Sequence, residues 1–157
     1  MSIQTAGKNY FNQPLIQTGG EKILLTIWIG ALWTIGFLVT PILFGNLDDR
    51  QLAGMLAGKM FTAVSFIGLF CGLVLSVSEL SRSESFKTNK RFWLLIIMLL
   101  LVIIGEFLIQ PQMAELKQAG LSVGAEFNRL HGIATALYML NCLFALILLI
   151  YNPRTLP

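Results

Sequence analysis

The apolar positions of this chain fall in four long blocks. They run over residues 23–44, 52–80, 92–109 and 130–151, and the second is most apolar between Met60 and Val77. At about 1.5 Å per residue each block reaches roughly 27 Å or more as a helix, enough to cross a hydrocarbon layer of about 30 Å with modest adjustment. Backbone polar groups find no water to bond in lipid, so blocks of this kind must be helical. Local signals agree. Thr18-Gly19-Gly20-Glu21 has capping-box spacing before the first block, and Asp48-Asp49-Arg50-Gln51 is arranged similarly before the second. Thr88 or Asn89 can cap the third helix and Ser122 the fourth. Pro41 falls in the last turn of the first block and is expected to kink or end it.

The connections 45–51, 81–91 and 110–126 are short, which favours antiparallel neighbours. The expected fold is all-α: a polytopic membrane protein built as a four-transmembrane-helix antiparallel bundle, one domain over 1–157, without a repeat or a linker. Composition supports this. Only 12% of residues are charged and 55% are hydrophobic, and mean hydropathy is +0.74. Those values exclude a disordered chain, a coiled coil and an ordinary soluble enzyme. The net charge of +3 does not point to nucleic acid, because Arg82, Lys87, Lys90 and Arg91 share one connection. With Lys8, Lys22 and Arg154 they make seven basic residues on one side, against Arg50, Lys59, Lys117 and Arg129 on the other. That asymmetry places both termini in the cytoplasm. Trp28, Trp93 and Tyr151 would then form an aromatic belt at the cytoplasmic interface. The polar N-terminal segment does not read as a cleavable signal. The partner is the lipid bilayer, with a second copy or another membrane subunit as a further candidate.

Gly54, Gly58, Ser65, Gly68, Gly72 and Ser76 share one stripe of the second helix, with two GxxxG units, Gly54 to Gly58 and Gly68 to Gly72. A smooth stripe lets another backbone approach closely, inside the bundle or between protomers. Lys59, Glu106 and His131 come from three helices and are all expected in the outer third of the membrane, with Arg129 at its edge. Ionisable groups are costly there, so this polar cluster is the candidate site, either a functional one or a structural ion pair. Asn128, His131, Thr135, Tyr138 and Cys142 recur at helical spacing in the fourth helix and would face the bundle interior. Met55, Met60 and Met113 with His131 make a weaker soft-metal candidate. Cys71 and Cys142 are far apart and read as small buried residues. One histidine cannot supply a bis-histidine haem within one chain or a three-histidine zinc site. No catalytic motif is present, so the chain is not expected to be an enzyme, and no cofactor is assigned.

Four short segments carry a family resemblance. They are Thr40-Pro41-Ile42-Leu43-Phe44, Ala53-Gly54 with Gly58, Gln110-Pro111-Gln112-Met113, and Phe127-Asn128-Arg129-Leu130-His131. In this order the chain resembles bacterial membrane proteins with the domain of unknown function 4149, which are similar to eukaryotic transmembrane protein 205. The resemblance implies a four-helix protein of the bacterial inner membrane, with metal or small-molecule handling favoured by analogy. The expected role is a small binding or transport component with a polar cluster near the outer face, for a metal ion, a proton or a small molecule. The alternatives are a non-catalytic accessory subunit and a haem-linked redox protein that shares haem through two copies of His131.

Overall fold

The computed structural model describes residues 13–82 and 89–150, and all regular structure among them is helical. Helix α1 (Gln13–Trp33) leads through a π turn (Thr34–Val39) into α2 (Thr40–Asn46). Helix α3 (Arg50–Arg82) returns, and α4 (Lys90–Ile103) leads through a second π turn (Ile104–Ile109) into α5 (Gln110–Gln118). Helix α6 (Ala125–Ile150) completes the bundle. Four continuous stretches, Gly19–Asn46, Arg50–Ser81, Lys90–Gln118 and Ala125–Ile150, are long and apolar enough to cross a membrane. The protein is a multi-pass, membrane-type helical bundle.

Pro41 does not end the first span. Pro41 and Pro111 each stand second in the segment after a π turn. Proline has no N–H, and in an unbroken α-helix its ring would press on the carbonyl four residues back, at Phe37 or Phe107. Widening the preceding turn by one residue relieves that crowding and lets the helix continue. Thr40 closes the first π turn by bonding the Ile35 carbonyl through its N–H and, at 2.8 Å, through its hydroxyl. Gln110 N–H closes the second on Gly105. Both turns share the pattern Phe-Leu-Val/Ile-x-Pro, over 37–41 and 107–111, in a sequence read above as free of repeats.

Several boundaries shift for related reasons. The first helix begins at Gln13 and runs through Gly19-Gly20, so Thr18 is not its cap. Asp49 does cap α3, accepting from the N–H groups of Gln51 (2.8 Å) and Leu52 (3.1 Å). Asn89 caps α4 by accepting from Phe92 N–H at 3.1 Å. Ser122 lies in the turn before α6 and does not cap it; α6 starts after Gly124, whose carbonyl accepts from Asn128 N–H. The segment 110–118 was expected to be a loop and is helix α5.

Helix α1 packs between α3 and α6, and α4 does the same on the opposite side, which closes an up-down ring. The end that carries the α3–α4 connection is called the near end here, and the other the far end. The core lies in the near half, where Trp28, Leu32, Leu75, Leu95, Met98 and Leu148 interlock. Trp28 is fully buried there rather than sitting in an interfacial belt, whereas Trp93 is exposed as such a belt requires. Tyr151 lies outside the described residues. The far half is looser. Neither π turn nor α2 holds a buried residue, and α5 holds only Met113.

The small-residue stripe of α3 is used inside the chain. A Cβ on Gly68 would stand 2.5 Å from Trp28 Nε1, and one on Gly72 would stand 2.7 Å from Leu99 Cδ2 and 2.9 Å from the Trp28 ring. Gly54 faces Phe44, and Gly58 faces Gln110 and Lys117. The two glycines at the centre are therefore required by close approach of a rigid indole. Gly72→Ala should lower stability by about 1–3 kcal/mol, as overpacking of a filled core does. Thermal unfolding in mild detergent checks this.

Candidate functional site

Polar side chains gather at both ends of the bundle, in two different ways. At the near end Arg91, at the start of α4, reaches two carboxylates. Its Nη1 lies 3.2 Å from Glu79 Oε1 on α3, and its Nη2 lies 3.9 Å from Glu21 Oε2 on α1. Ser78 Oγ donates to Glu21 Oε1 at 2.6 Å, and Asn89 Nδ2 donates to Glu79 Oε2 at 3.1 Å. All three charged residues are buried. Sequence reasoning placed Arg91 in a connection and Glu79 at the end of the second span, and missed this cluster. A signal was available: Glu21, Glu79 and Arg91 stand at the same end of three successive helices.

At mid-depth the bundle is crossed by Tyr138 and Phe61. The two rings meet edge to face at 4.9 Å, and the Tyr138 hydroxyl donates to the Leu32 carbonyl of α1. Gly36, on the first π turn, makes room for Tyr138: a Cβ there would come within 2.6 Å of the ring. These side chains divide the packed near half from the far half, where fewer residues are buried.

The far half holds Glu106 on the second π turn, half-buried. Fifteen residues separate it from Arg91, about 22 Å of helix, so it lies well inside the span. Among the described residues no hydrogen bond or ion pair reaches its side chain. One turn beyond, Gln110 directs its amide nitrogen at Gly58 of α3, and Lys117 of α5 directs its ammonium at the same glycine. Lys117 also lies over the Phe127 ring, 5.7 Å from its centroid, and that ring stacks on His131 at 6.1 Å. The far end, called the far mouth below, thus carries Glu106, Gln110 and Lys117 on one span, with Phe127 and His131 of α6 alongside. Lys117 and Gln110 were not read as site residues, because α5 was taken for a loop.

The other sequence candidates fall elsewhere. Lys59 is exposed and shares the outward face of α3 with Met55, Phe66 and Phe70. Arg129 and His131 are exposed as well, and no ion pair joins Lys59, Glu106, Arg129 and His131 among the described residues. The expected polar stripe of α6 turns mostly outward: Asn128, His131 and Thr135 are exposed, Tyr138 is half-buried and Cys142 is buried. The inward positions are Phe127, Leu130, Ala134, Tyr138 and Asn141, because apolar packing sets the rotation of the helix. Met55 and Met60 are exposed, while Met113 is buried. No group of three or more His, Cys, Asp or Glu residues suited to a metal ion occurs among the described residues.

A family model, domain of unknown function (DUF4149), matches residues 23–122. The chain belongs to the DUF4149 family. The part that matches DUF4149 contains both π turns, Glu79, Arg91, Glu106, Gln110 and Lys117, while α6 follows it. Three of the four segments that carried the resemblance lie inside the DUF4149 match, and Phe127–His131 lies beyond it. No curated protein and no solved structure matches this DUF4149 chain.

Proposed function

We propose that this protein is a small binding or transport component, not an enzyme, and that it takes a proton or a small cation at Glu106. One observation carries the reading: Glu106 is a half-buried carboxylate at membrane depth with no partner among the described residues. An ionisable group at membrane depth is costly and ordinarily has an opposite charge or a polar partner beside it. A mobile counter-charge fills the role that no side chain among the described residues fills. The π turn supports this, because single-turn widenings of a helix are frequent at functional sites. Gln110 and Lys117 stand over the approach from the far end and would screen what enters. The setting we infer is the bacterial inner membrane with both termini in the cytoplasm, which makes the far mouth periplasmic.

The test uses a hydrophobic carbodiimide, which reacts with protonated carboxyl groups in apolar surroundings, followed by peptide mass mapping. Glu106 should be the labelled residue in membranes, and prior incubation with the ion it takes should protect it. In vesicles loaded with a pH or cation indicator, Glu106→Gln should reduce uptake about tenfold or more, the scale on which loss of a group supporting an ion site acts. Absence of labelling at Glu106, or uptake equal in wild type and Glu106→Gln, rejects the proposal.

A further inference from the structure

We propose that Lys117, Gln110 and the notch at Gly58 form a binding site for a small oxyanion, a phosphate group above all. The nitrogens of the two side chains converge on one point. A Cβ on Gly58 would stand 3.7 Å from Gln110 Nε2 and 3.9 Å from Lys117 Nζ, so the nitrogens are no further apart than the sum of those distances. An oxyanion seated there presents one oxygen to each, at hydrogen-bond lengths of about 2.8 Å.

Both nitrogens are donors only. Among the described residues no hydrogen bond or ion pair takes up either of them. Phe127 lies beneath the ammonium, 5.7 Å from Nζ to the ring centroid, and steadies it without cancelling its charge. Lys117 and Gln110 are half-buried, and a charge partly withdrawn from water attracts an anion more strongly.

Gly58 differs from the other glycines of its stripe. At Gly68 and Gly72 a Cβ would strike the indole of Trp28, so packing demands glycine there. At Gly58 the nearest atoms would stand at ordinary contact distance, and packing makes no such demand. What the missing side chain leaves is the space between two donors.

Depth suits the ligand. Pro111 lies twenty residues beyond Arg91, about 30 Å of helix, which is the thickness of the hydrocarbon. Lys117 stands more than a turn further out, at the level of lipid phosphates and dissolved ions. The chemistry recognised is the same in both, a phosphate oxygen on a headgroup or free in solution.

Lysine acylation mapped by peptide mass tests this, on the full chain in a sugar-based detergent free of phosphate. Inorganic phosphate should protect Lys117 and leave the exposed Lys59 reactive. Sodium chloride at the same ionic strength should protect neither. Gly58→Ala puts a methyl group in the notch without a clash and should weaken phosphate protection about tenfold or more, the scale of one hydrogen bond to a charged group. Gln110→Leu should do the same, which keeps the test decisive if Gly58→Ala does not fold. Protection by phosphatidylglycerol added to the micelles, with none by inorganic phosphate, assigns the oxygen to a headgroup. Protection by neither overturns the proposal, and so does equal protection by chloride or undiminished protection in both variants. The site does not rest on the reading of Glu106: Glu106→Gln should keep the protection of Lys117, so failure of one is told apart from failure of the other.

Discussion

Replacing Arg91 with alanine should destabilise the bundle by about 3–5 kcal/mol, the loss expected when a buried pair keeps only one sign of charge. Arg91 lies between Glu21 and Glu79, and it joins α4 to both α1 and α3. Without it the two buried carboxylates, which accept from Ser78 and Asn89, lose the guanidinium that lies between them. A lysine at the position should recover part of the loss, because one ammonium cannot match a planar fork that reaches two carboxylates. Removing charge from both sides, with Arg91→Gln and Glu79→Gln together, should cost less than Arg91→Ala alone. Thermal unfolding of the four proteins in one detergent gives the order. Arg91→Ala unfolding at the wild-type temperature would show that the cluster does not hold the near end.

Trp28→Ala should be comparably severe, also about 3–5 kcal/mol, because it removes the largest side chain of the core and leaves a void that cannot collapse. Trp28 is 0% exposed and fills the notch made by Gly68 and Gly72. The two glycines bring the backbone of α3 against the indole, so one wall of the space left behind is backbone and not side chain. Trp28→Phe should cost about half as much or less, since an aromatic ring remains. Among the described residues its indole nitrogen has no hydrogen-bond partner, so phenylalanine forfeits volume and none of the described bonds. Reversible unfolding by denaturant, followed by far-UV circular dichroism, measures both losses.

The four spans were legible in the sequence because hydropathy in lipid is a strong, one-dimensional constraint: each block is long enough and nothing else can cross. The use of Gly68 and Gly72 for close packing was legible too, in kind, though not that Trp28 would be the residue received. Rotation about a helix axis was harder. The series Asn128, His131, Thr135 and Tyr138 looked inward because polar residues are expected to avoid lipid, yet Phe127, Leu130 and Ala134 hold that side. In a helix apolar on most faces the pattern does not say which face is inside. Lys59 was grouped with Glu106 by depth alone, and depth leaves the angle open. The Glu21, Arg91 and Glu79 cluster was hidden for a different reason. These residues lie near segment ends, where charges ordinarily meet water, and only packing of three helices buries them. The continuation of the third span into α5 was hidden by Pro111, which alone reads as a stop.

The two π turns have a consequence for how the far mouth is aimed. Each adds one residue to a single turn, so all that follows is rotated about 100° from where an unbroken helix would carry it. The segments α2 and α5 therefore keep a phase of their own, uncoupled from the phase that packs α1 and α4 into the core. Deletion of one residue within 104–109 would swing Gln110 and Lys117 around the axis while leaving Leu95 and Met98 seated. The bundle in this way separates two addresses along a single span: one fixed by the near core, the other free to be re-aimed one residue at a time.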